Sequence, residues 1–199
     1  GLLISNKQER ELGAGVHTEI RKEYKLLEKD DPVSQWAVQL VKPLESASRR
    51  FRDPAELGGY KVAVIYDNQL INAFAAPGGY TYLSTGLILS AETCTEIAGV
   101  MGHELAHVTQ KHGVKAMERQ VAAGTLAQWF LGDGVANEAI MVAFNVVQST
   151  QFSRAQETES DEVGVQISHA AGYNPYGLVT FFEKLLAKHG SGGPEFLSS

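Results

Sequence analysis

The stretch His103-Glu104-Leu105-Ala106-His107 decides how the rest of this 199-residue chain is interpreted. Residues four apart lie on one face of an α-helix, so the two imidazoles can reach one ion with Glu104 beside it. Zinc held by two histidines and a carboxylate keeps a fourth position for water, and it lowers the pKa of that water to about 7. A neighbouring carboxylate can then accept the proton. The pattern is typical of zinc-dependent hydrolysis of a carbonyl compound.

The motif lies in a segment with helical periodicity. Apolar residues recur at spacings of three and four, which predicts an amphipathic helix over 91–112. Gly102 lowers the stability of that helix and either allows close backbone approach or is simply tolerated. His112 lies five residues after His107, so on a continuous helix it should point away from the ion and cap the helix or face solvent. The alternative that both motif histidines merely pack or face solvent stays open on the motif alone.

The motif supplies two histidine ligands, so a third ligand must come from elsewhere. One class of zinc enzymes continues the motif as His-x-x-Gly-x-x-His. Here Gln110 and Gly113 occupy the glycine and third-histidine positions, which excludes that class. A glutamate from a second helix is the other standard solution.

A second acidic helix offers that glutamate. Glu157 and Asp161 are four residues apart and share a face, whereas Glu159 should point roughly to the opposite side. Glu157 is the candidate ligand, and Asp161 is a candidate acceptor that orients a ligand histidine through its other ring nitrogen. A solvated acidic helix start would have the same composition, and spacing alone does not separate the two interpretations.

The two motifs together resemble the gluzincin peptidases of the HtpX, Oma1 and CAAX-prenyl-protease type, closest to the soluble periplasmic BepA- and LoiP-like members. The resemblance implies that His103, His107 and Glu157 bind one Zn²⁺ per chain and that Glu104 is the general base. It also implies that Asp161 lies behind the ligands and supports one of them. The expected location is the bacterial periplasm or cell envelope, which would require a leader outside this sequence.

The chain departs from the family pattern at two points. The residue before Asp161 is usually alanine, and Ser160 at that position is expected to have no effect. Many soluble members carry, after a Phe-Leu-Ser segment, a His-Pro whose histidine can approach the zinc. This chain stops at Phe196-Leu197-Ser198-Ser199, so that group cannot be assigned.

Composition agrees with one compact enzyme domain over residues 1–199, because 44% of the residues are hydrophobic. The net charge of −6 argues against nucleic acid as a partner. The apolar tracts 121–131 and 140–147 are too short to span a bilayer, although contact with a membrane surface stays possible. The predicted partner is a protein or peptide substrate, and the oligomeric state is left open.

The periodicities predict an α+β fold, mostly helical and zincin-like, with a small three-stranded antiparallel sheet beside the motif helix. The expected parts are N-terminal helices (1–50), the sheet (60–84), the motif helix (91–112), an apolar helical hairpin or lid (114–147), and the third-ligand and C-terminal helices (153–188).

The sheet has a possible role in binding substrate. An extended peptide can add as an extra strand to an exposed sheet edge, and Asn72 to Ala76 or Tyr80 to Tyr82 could supply that edge. The candidate edge residues are therefore Asn72, Phe74 and Tyr80. An ordinary core sheet is the alternative.

The most specific expectation is a zinc-dependent endopeptidase that hydrolyses misfolded or unassembled proteins with Glu104 as the general base. Two alternatives remain open. One is a zinc hydrolase that acts on an amide or ester outside proteins. The other is an inactive zincin that serves as a chaperone-like binding module.

Overall fold

The computed structural model describes residues 4–132, 134–149 and 152–189, so Phe196-Leu197-Ser198-Ser199 lies outside the described part. Within those ranges the chain forms nine α-helices and three β-strands, which confirms the predicted, mostly helical α+β class. The elements are α1 (Asn6–Glu23), α2 (Pro32–Ser48), β1 (Lys61–Ile65), β2 (Ala73–Ala76), β3 (Tyr80–Ser84), α3 (Thr85–Ser90), α4 (Cys94–Thr109), α5 (His112–Gln120), α6 (Ala123–Trp129), α7 (Asn137–Ser149), α8 (Arg154–Ala170) and α9 (Gly177–His189). None of these helices is long and apolar enough to cross a membrane.

The sheet is mixed, and the prediction of a purely antiparallel sheet is wrong. Its strand order is β1-β3-β2; β3 pairs antiparallel with β2 and parallel with β1. The predicted β2–β3 hairpin is present because Gly78 and Gly79 adopt φ of 83° and 82° in its tight turn. The longer connection between β1 and β2 carries β2 to the far side of β3, so β1 and β3 run in the same direction.

The two edges of the sheet have different surroundings. On the outer side of β1, Leu26 forms an antiparallel bridge with Ile65, and the backbone N–H of Leu27 donates to the carbonyl of Val64 at 2.9 Å. On the opposite side, β2 is the terminal strand. Among the described residues no further strand pairs with the outer side of β2, whose four residues are all buried.

The motif helix α4 is shorter than predicted. It begins at Cys94 because the Thr93 side chain accepts a hydrogen bond from the Glu96 backbone N–H, and it ends at Thr109. Lys111 adopts a left-handed conformation (φ 56°, ψ 36°), and His112 then begins α5. The expectation of one helix through His112 is wrong, because this turn changes the chain direction just before that residue.

The apolar segment 114–147 forms parts of three helices, not the predicted two-helix hairpin. Val121 is extended (φ −125°, ψ 136°) and ends α5 before α6 begins. The buried side chains of α5, α6 and α7 pack with those of α1, β2 and β3 in one hydrophobic cluster. A second cluster surrounds α4 and includes α2, α8 and α9.

A buried ion pair fixes the C-terminal end of α4. Arg52 and Glu9 have 3% and 4% of their side chains exposed, and the guanidinium donates to both carboxylate oxygens at 3.0 and 3.1 Å. Arg52 also donates to the carbonyl of Val108, while Glu9 accepts from the backbone N–H of Gly78. The pair therefore connects α1, the end of α4 and the hairpin turn, and no sequence motif indicated it.

Two glycines allow α4 and α8 to approach each other. A Cβ built at Gly102 would lie 2.6 Å from Ser168 Oγ and 3.2 Å from the carbonyl oxygen of Gly164. A Cβ at Gly164 would lie 2.9 Å from the Cα of His103. Close approach is therefore the physical role of Gly102, and it brings α8 directly against the His103 backbone.

We expect Gly164→Ala to separate α4 from α8, because the added methyl group meets backbone that cannot move aside. Overpacking of this kind lowers the free energy of unfolding by about 1–3 kcal/mol, which denaturant titration would measure. Gly124→Ala is the matched control, since a Cβ there has no neighbour within 4 Å. Equal stability of the two variants would contradict this view of the interface.

Candidate metal centre

Helix α8 begins at a well-defined cap that sets the position of Glu157. Ser153 accepts a hydrogen bond from the Gln156 backbone N–H, and the Gln156 side chain accepts from the Ser153 backbone N–H. This capping box satisfies two backbone donors that the first helical turn leaves free. Glu157 then lies in the first turn of α8, which packs along α4.

The three predicted ligands converge. The Nε2 atoms of His103 and His107 are 3.2 Å apart, and the two Glu157 oxygens lie 3.0 Å from His103 Nε2 and 3.2 Å from His107 Nε2. Both imidazoles are buried, each 4% exposed. Ligands bonded to a tetrahedral zinc at about 2.0–2.1 Å are about 3.3 Å from one another. The spacing and the donor types therefore fit zinc.

The outer nitrogen of His103 faces a carboxylate. Its Nδ1 lies 2.8 Å from Asp161 Oδ1, a close ion-pair contact without the alignment of a good hydrogen bond. A proton held at Nδ1 leaves the Nε2 lone pair directed toward His107 and Glu157. Asp161 is thus where the Glu157–Asp161 spacing predicted it, one helical turn beyond the ligand.

The outer nitrogen of His107 has partners that the sequence did not predict. Its Nδ1 lies 2.9 Å from His112 Nδ1 and 2.9 Å from Ser160 Oγ. His112 is completely buried, so its expected place at a helix cap or in solvent is wrong. The cause is the left-handed turn at Lys111, which redirects the chain and brings His112 back against His107.

Glu159 and Ser160 also differ from expectation. Glu159 is not among the three residues whose ligand atoms converge, and its Oε1 lies 2.6 Å from His112 Nε2. Ser160, which we expected to have no effect, is buried and lies within hydrogen-bond distance of both His107 and His112.

Burial and neighbouring charges shift the pKa values of the centre in different directions. Burial lowers the pKa of His107 to about 4. Burial also acts to lower the pKa of His103, but Asp161 and Glu157 overcome it and raise that pKa to about 10. Burial opposes ionisation of Glu157, yet hydrogen bonds from the two imidazoles hold its pKa well below the usual range.

The surroundings of Glu104 favour its protonated form, whereas those of Glu157 favour the ionised form. Burial of Glu104 raises the pKa of its carboxyl to about 8, and the nearby Glu157 and Asp161 charges add to that effect, although His103 partly offsets it. A raised pKa makes the ionised carboxylate a stronger base, and the positive charge of a bound zinc ion would favour that ionised form.

A small cavity lies between His107 and the terminal strand β2. Its lining includes Ala75 and Ala76 of β2 together with Phe152, whose ring stacks on His107 at 4.2 Å between centroids and 19° between planes. Phe152 carries no motif, so no signal in the sequence indicated this contact.

The three candidate edge residues occupy different places in the sheet. Tyr80 belongs to the central strand β3, so its assignment to an edge is wrong. Phe74 is in the edge strand β2, but its buried ring stacks on Tyr82 in the core. Asn72 directly precedes β2, and its carbonyl accepts a hydrogen bond from the Ser84 backbone N–H at 3.0 Å.

Comparison with known proteins agrees with this geometry. The model of Peptidase family M48 matches residues 35–199. The chain belongs to peptidase family M48. The resemblance inferred from the two motifs is thereby confirmed, and the predicted class, a zinc metalloendopeptidase, is the class of this family.

Several curated M48 relatives match much of the chain. The beta-barrel assembly-enhancing protease of Escherichia coli (strain K12) is 29% identical over 211 residues, which cover 99% of this chain and 42% of the relative. The metalloprotease LoiP of the same organism is 35% identical over 63% of this chain and 50% of its own length. The mitochondrial metalloendopeptidase OMA1 of Arabidopsis thaliana is 28% identical over 86% of this chain and 35% of its own length. The chain thus spans half or less of the length of these relatives.

We expect Glu157→Ala to weaken zinc binding by at least about 100-fold, since it removes a ligand and not merely a supporting residue. Competition with a chromophoric chelator would measure the affinity. Glu162→Ala, an exposed position on the same helix, should leave the affinity unchanged. Equal affinities for the two variants would show that Glu157 does not bind the metal.

Proposed function

We propose that this chain is a zinc-dependent endopeptidase domain of the bacterial cell envelope that hydrolyses peptide bonds in misfolded or unassembled proteins. The observation that carries the proposal is the convergence of His103, His107 and Glu157 on one point, with Glu104 next to it in α4. Membership in family M48 supports the peptidase class.

The proposed chemistry assigns one role to each group. His103, His107 and Glu157 would hold the zinc, which when bound polarises the scissile carbonyl and lowers the pKa of water. Glu104 accepts the proton of the attacking water and later delivers it to the leaving amine. Its burial keeps bulk water from competing for that proton, and its raised pKa favours the transfer.

The outer edge of β2, which is buried in this structure, is the proposed binding site for the substrate backbone. In an antiparallel pair, residues whose backbone groups face the partner strand alternate with residues whose groups face away. Asn72 bonds to Ser84 of β3, so the N–H and C=O of Ala75, three residues later, point away from β3. Ala75 also lines the cavity beside His107. An extended peptide that pairs with Ala75 would therefore run past the metal centre.

This arrangement explains why the proposed substrates are unfolded. A peptide must be extended, with free backbone groups, to add to a strand edge, and a folded protein rarely offers such a segment. The name of the Escherichia coli relative, beta-barrel assembly-enhancing protease, supports a role near proteins that have not completed assembly. The reference to beta-barrel assembly in the same name is also the support for a location in the cell envelope.

We expect Glu104→Gln to bind zinc as tightly as the wild type but to cleave an unfolded protein such as casein about 10²–10⁴-fold more slowly, because only the base is lost. Metal analysis by mass spectrometry and gel-based cleavage assays would measure the two properties. Removal of zinc by a chelator should abolish wild-type cleavage, and added zinc should restore it.

The same experiment separates the two alternatives. Zinc-loaded wild type that hydrolyses small amides or esters but no unfolded protein would indicate a hydrolase outside the peptidases. Wild type and Glu104→Gln that behave alike in every assay would indicate a binding module without catalysis.

We expect Ala75→Pro to raise the KM for peptide substrates by about 3- to 10-fold, the effect of one lost hydrogen bond. Proline is tolerated at an edge position whose N–H does not pair within the sheet. Ala73→Pro is the control, because Ala73 has the same orientation but does not line the cavity. Zinc affinity should be unchanged in both variants, and an equal KM in both would contradict binding at this edge.

A further inference from the structure

The two proposed histidine ligands have different supports behind them. His103 faces the Asp161 carboxylate directly through Nδ1. His107 instead faces a second imidazole, that of His112, whose far nitrogen contacts the Glu159 carboxylate at 2.6 Å. Each ligand imidazole is thus connected to a carboxylate, one directly and one through an intervening ring.

The distances determine where the protons lie along the series of contacts from His107 through His112 to Glu159. His107 must have a free lone pair at Nε2 to bind a metal, so its proton is at Nδ1. A contact of 2.9 Å between two ring nitrogens has room for one proton, so His112 Nδ1 must be the acceptor. The proton of neutral His112 is then at Nε2, where it is donated to Glu159.

The contacts of the Ser160 hydroxyl are compatible with the same proton positions. Its Oγ lies 2.9 Å from His107 Nδ1 and 3.1 Å from His112 Nδ1. The hydroxyl can accept from the first nitrogen and donate to the second. Both routes end at the Glu159 carboxylate, whose Oε1 accepts from His112 Nε2.

We propose that His112 and Glu159 are positioning residues that hold His107 in the tautomer and orientation required for zinc binding. This inference rests on the proposed function, because it concerns one of the zinc ligands of the peptidase. Neither residue is among the three whose ligand atoms converge, and His112 contacts His107 only at its outer nitrogen, Nδ1. Glu159 fixes the tautomer of His112, and His112 in turn fixes that of His107.

The geometry of the chain turn supports a specific role for His112. Its side chain is 0% exposed although it is the first residue of α5, and it reaches this position through the left-handed turn at Lys111. A non-glycine residue in this conformation is uncommon and is maintained by its surroundings. The turn therefore serves to place His112 against His107.

The decisive variants are those of Glu159, because its side chain is 47% exposed and can be changed without disturbing the core. We expect Glu159→Ala to lower the zinc affinity about tenfold, the lower range for loss of a group that supports a ligand. Glu159→Gln keeps an oxygen that accepts from His112 Nε2, so it should restore most of the affinity. Glu162→Ala on the same helix is the control and should bind zinc like the wild type.

A second measurement reports the proton positions directly. Two-bond ¹H–¹⁵N spectra of the zinc-loaded protein should show His112 protonated at Nε2 in the wild type and in Glu159→Gln. In the zinc-free protein, where no metal fixes the proton of His107, the wild type should keep this preference. Glu159→Ala should lose it there, with the ring divided between its two tautomers. A residue that served only to fill space would leave the tautomer unchanged.

Either of two results would overturn the inference. One is a zinc affinity of Glu159→Ala equal to that of Glu162→Ala, and the other is wild-type His112 protonated at Nδ1. Both can occur in a protein that binds zinc and cleaves casein, so the proposed function would survive them. A wild type that binds no zinc would refute the proposed function, and this inference with it.

Discussion

The close approach of α4 and α8 is the constraint on which the metal centre depends. Zinc ligands must lie about 3.3 Å from one another, whereas packed helices usually have axes about 8–10 Å apart with side chains between them. Gly102 and Gly164 remove side chains from the contact, so the backbone of α8 lies against that of His103. Glu157, in the first turn of α8, can then reach both imidazoles of α4.

Because His103 and His107 are buried, the groups that contact their outer ring nitrogens affect the stability of the centre. In a medium of low polarity, an unpaired ring N–H would be costly, so each outer nitrogen needs a partner. Asp161 supplies it for His103, and His112 with Ser160 supplies it for His107. Because protons can be held on the outside, the inner nitrogens of both rings can present their lone pairs to a metal ion bound beside Glu157. The same burial raises the pKa of Glu104 and suits it to accept a proton.

The sheet connects this centre to its proposed substrate. The bridge between Leu26 and Ile65 occupies the outer side of β1, so the proposed pairing edge is that of the terminal strand β2. Ala75 and Ala76 of that edge line the cavity that His107 and Phe152 share. Phe152 stacks on the ligand imidazole, so a side chain of the substrate that enters this cavity would meet an aromatic surface beside the metal.

Local patterns in the sequence determined the motif helix, the spacing of Glu157 and Asp161, the β2–β3 hairpin and the mostly helical α+β class. These features follow from side chains three, four or two residues apart, which the helix and strand repeats place without reference to the rest of the chain. The tertiary structure alone decided the parallel pairing of β1, the buried Arg52–Glu9 pair and the place of His112. The last depends on a left-handed turn at Lys111, a residue type with no preference for that conformation, so it arises from packing of α4 against α5 and α8. The contact between His107 and His112 cannot be inferred from their spacing in the sequence. The helical repeat, which relates spacing to side-chain direction, ends at the Lys111 turn between them.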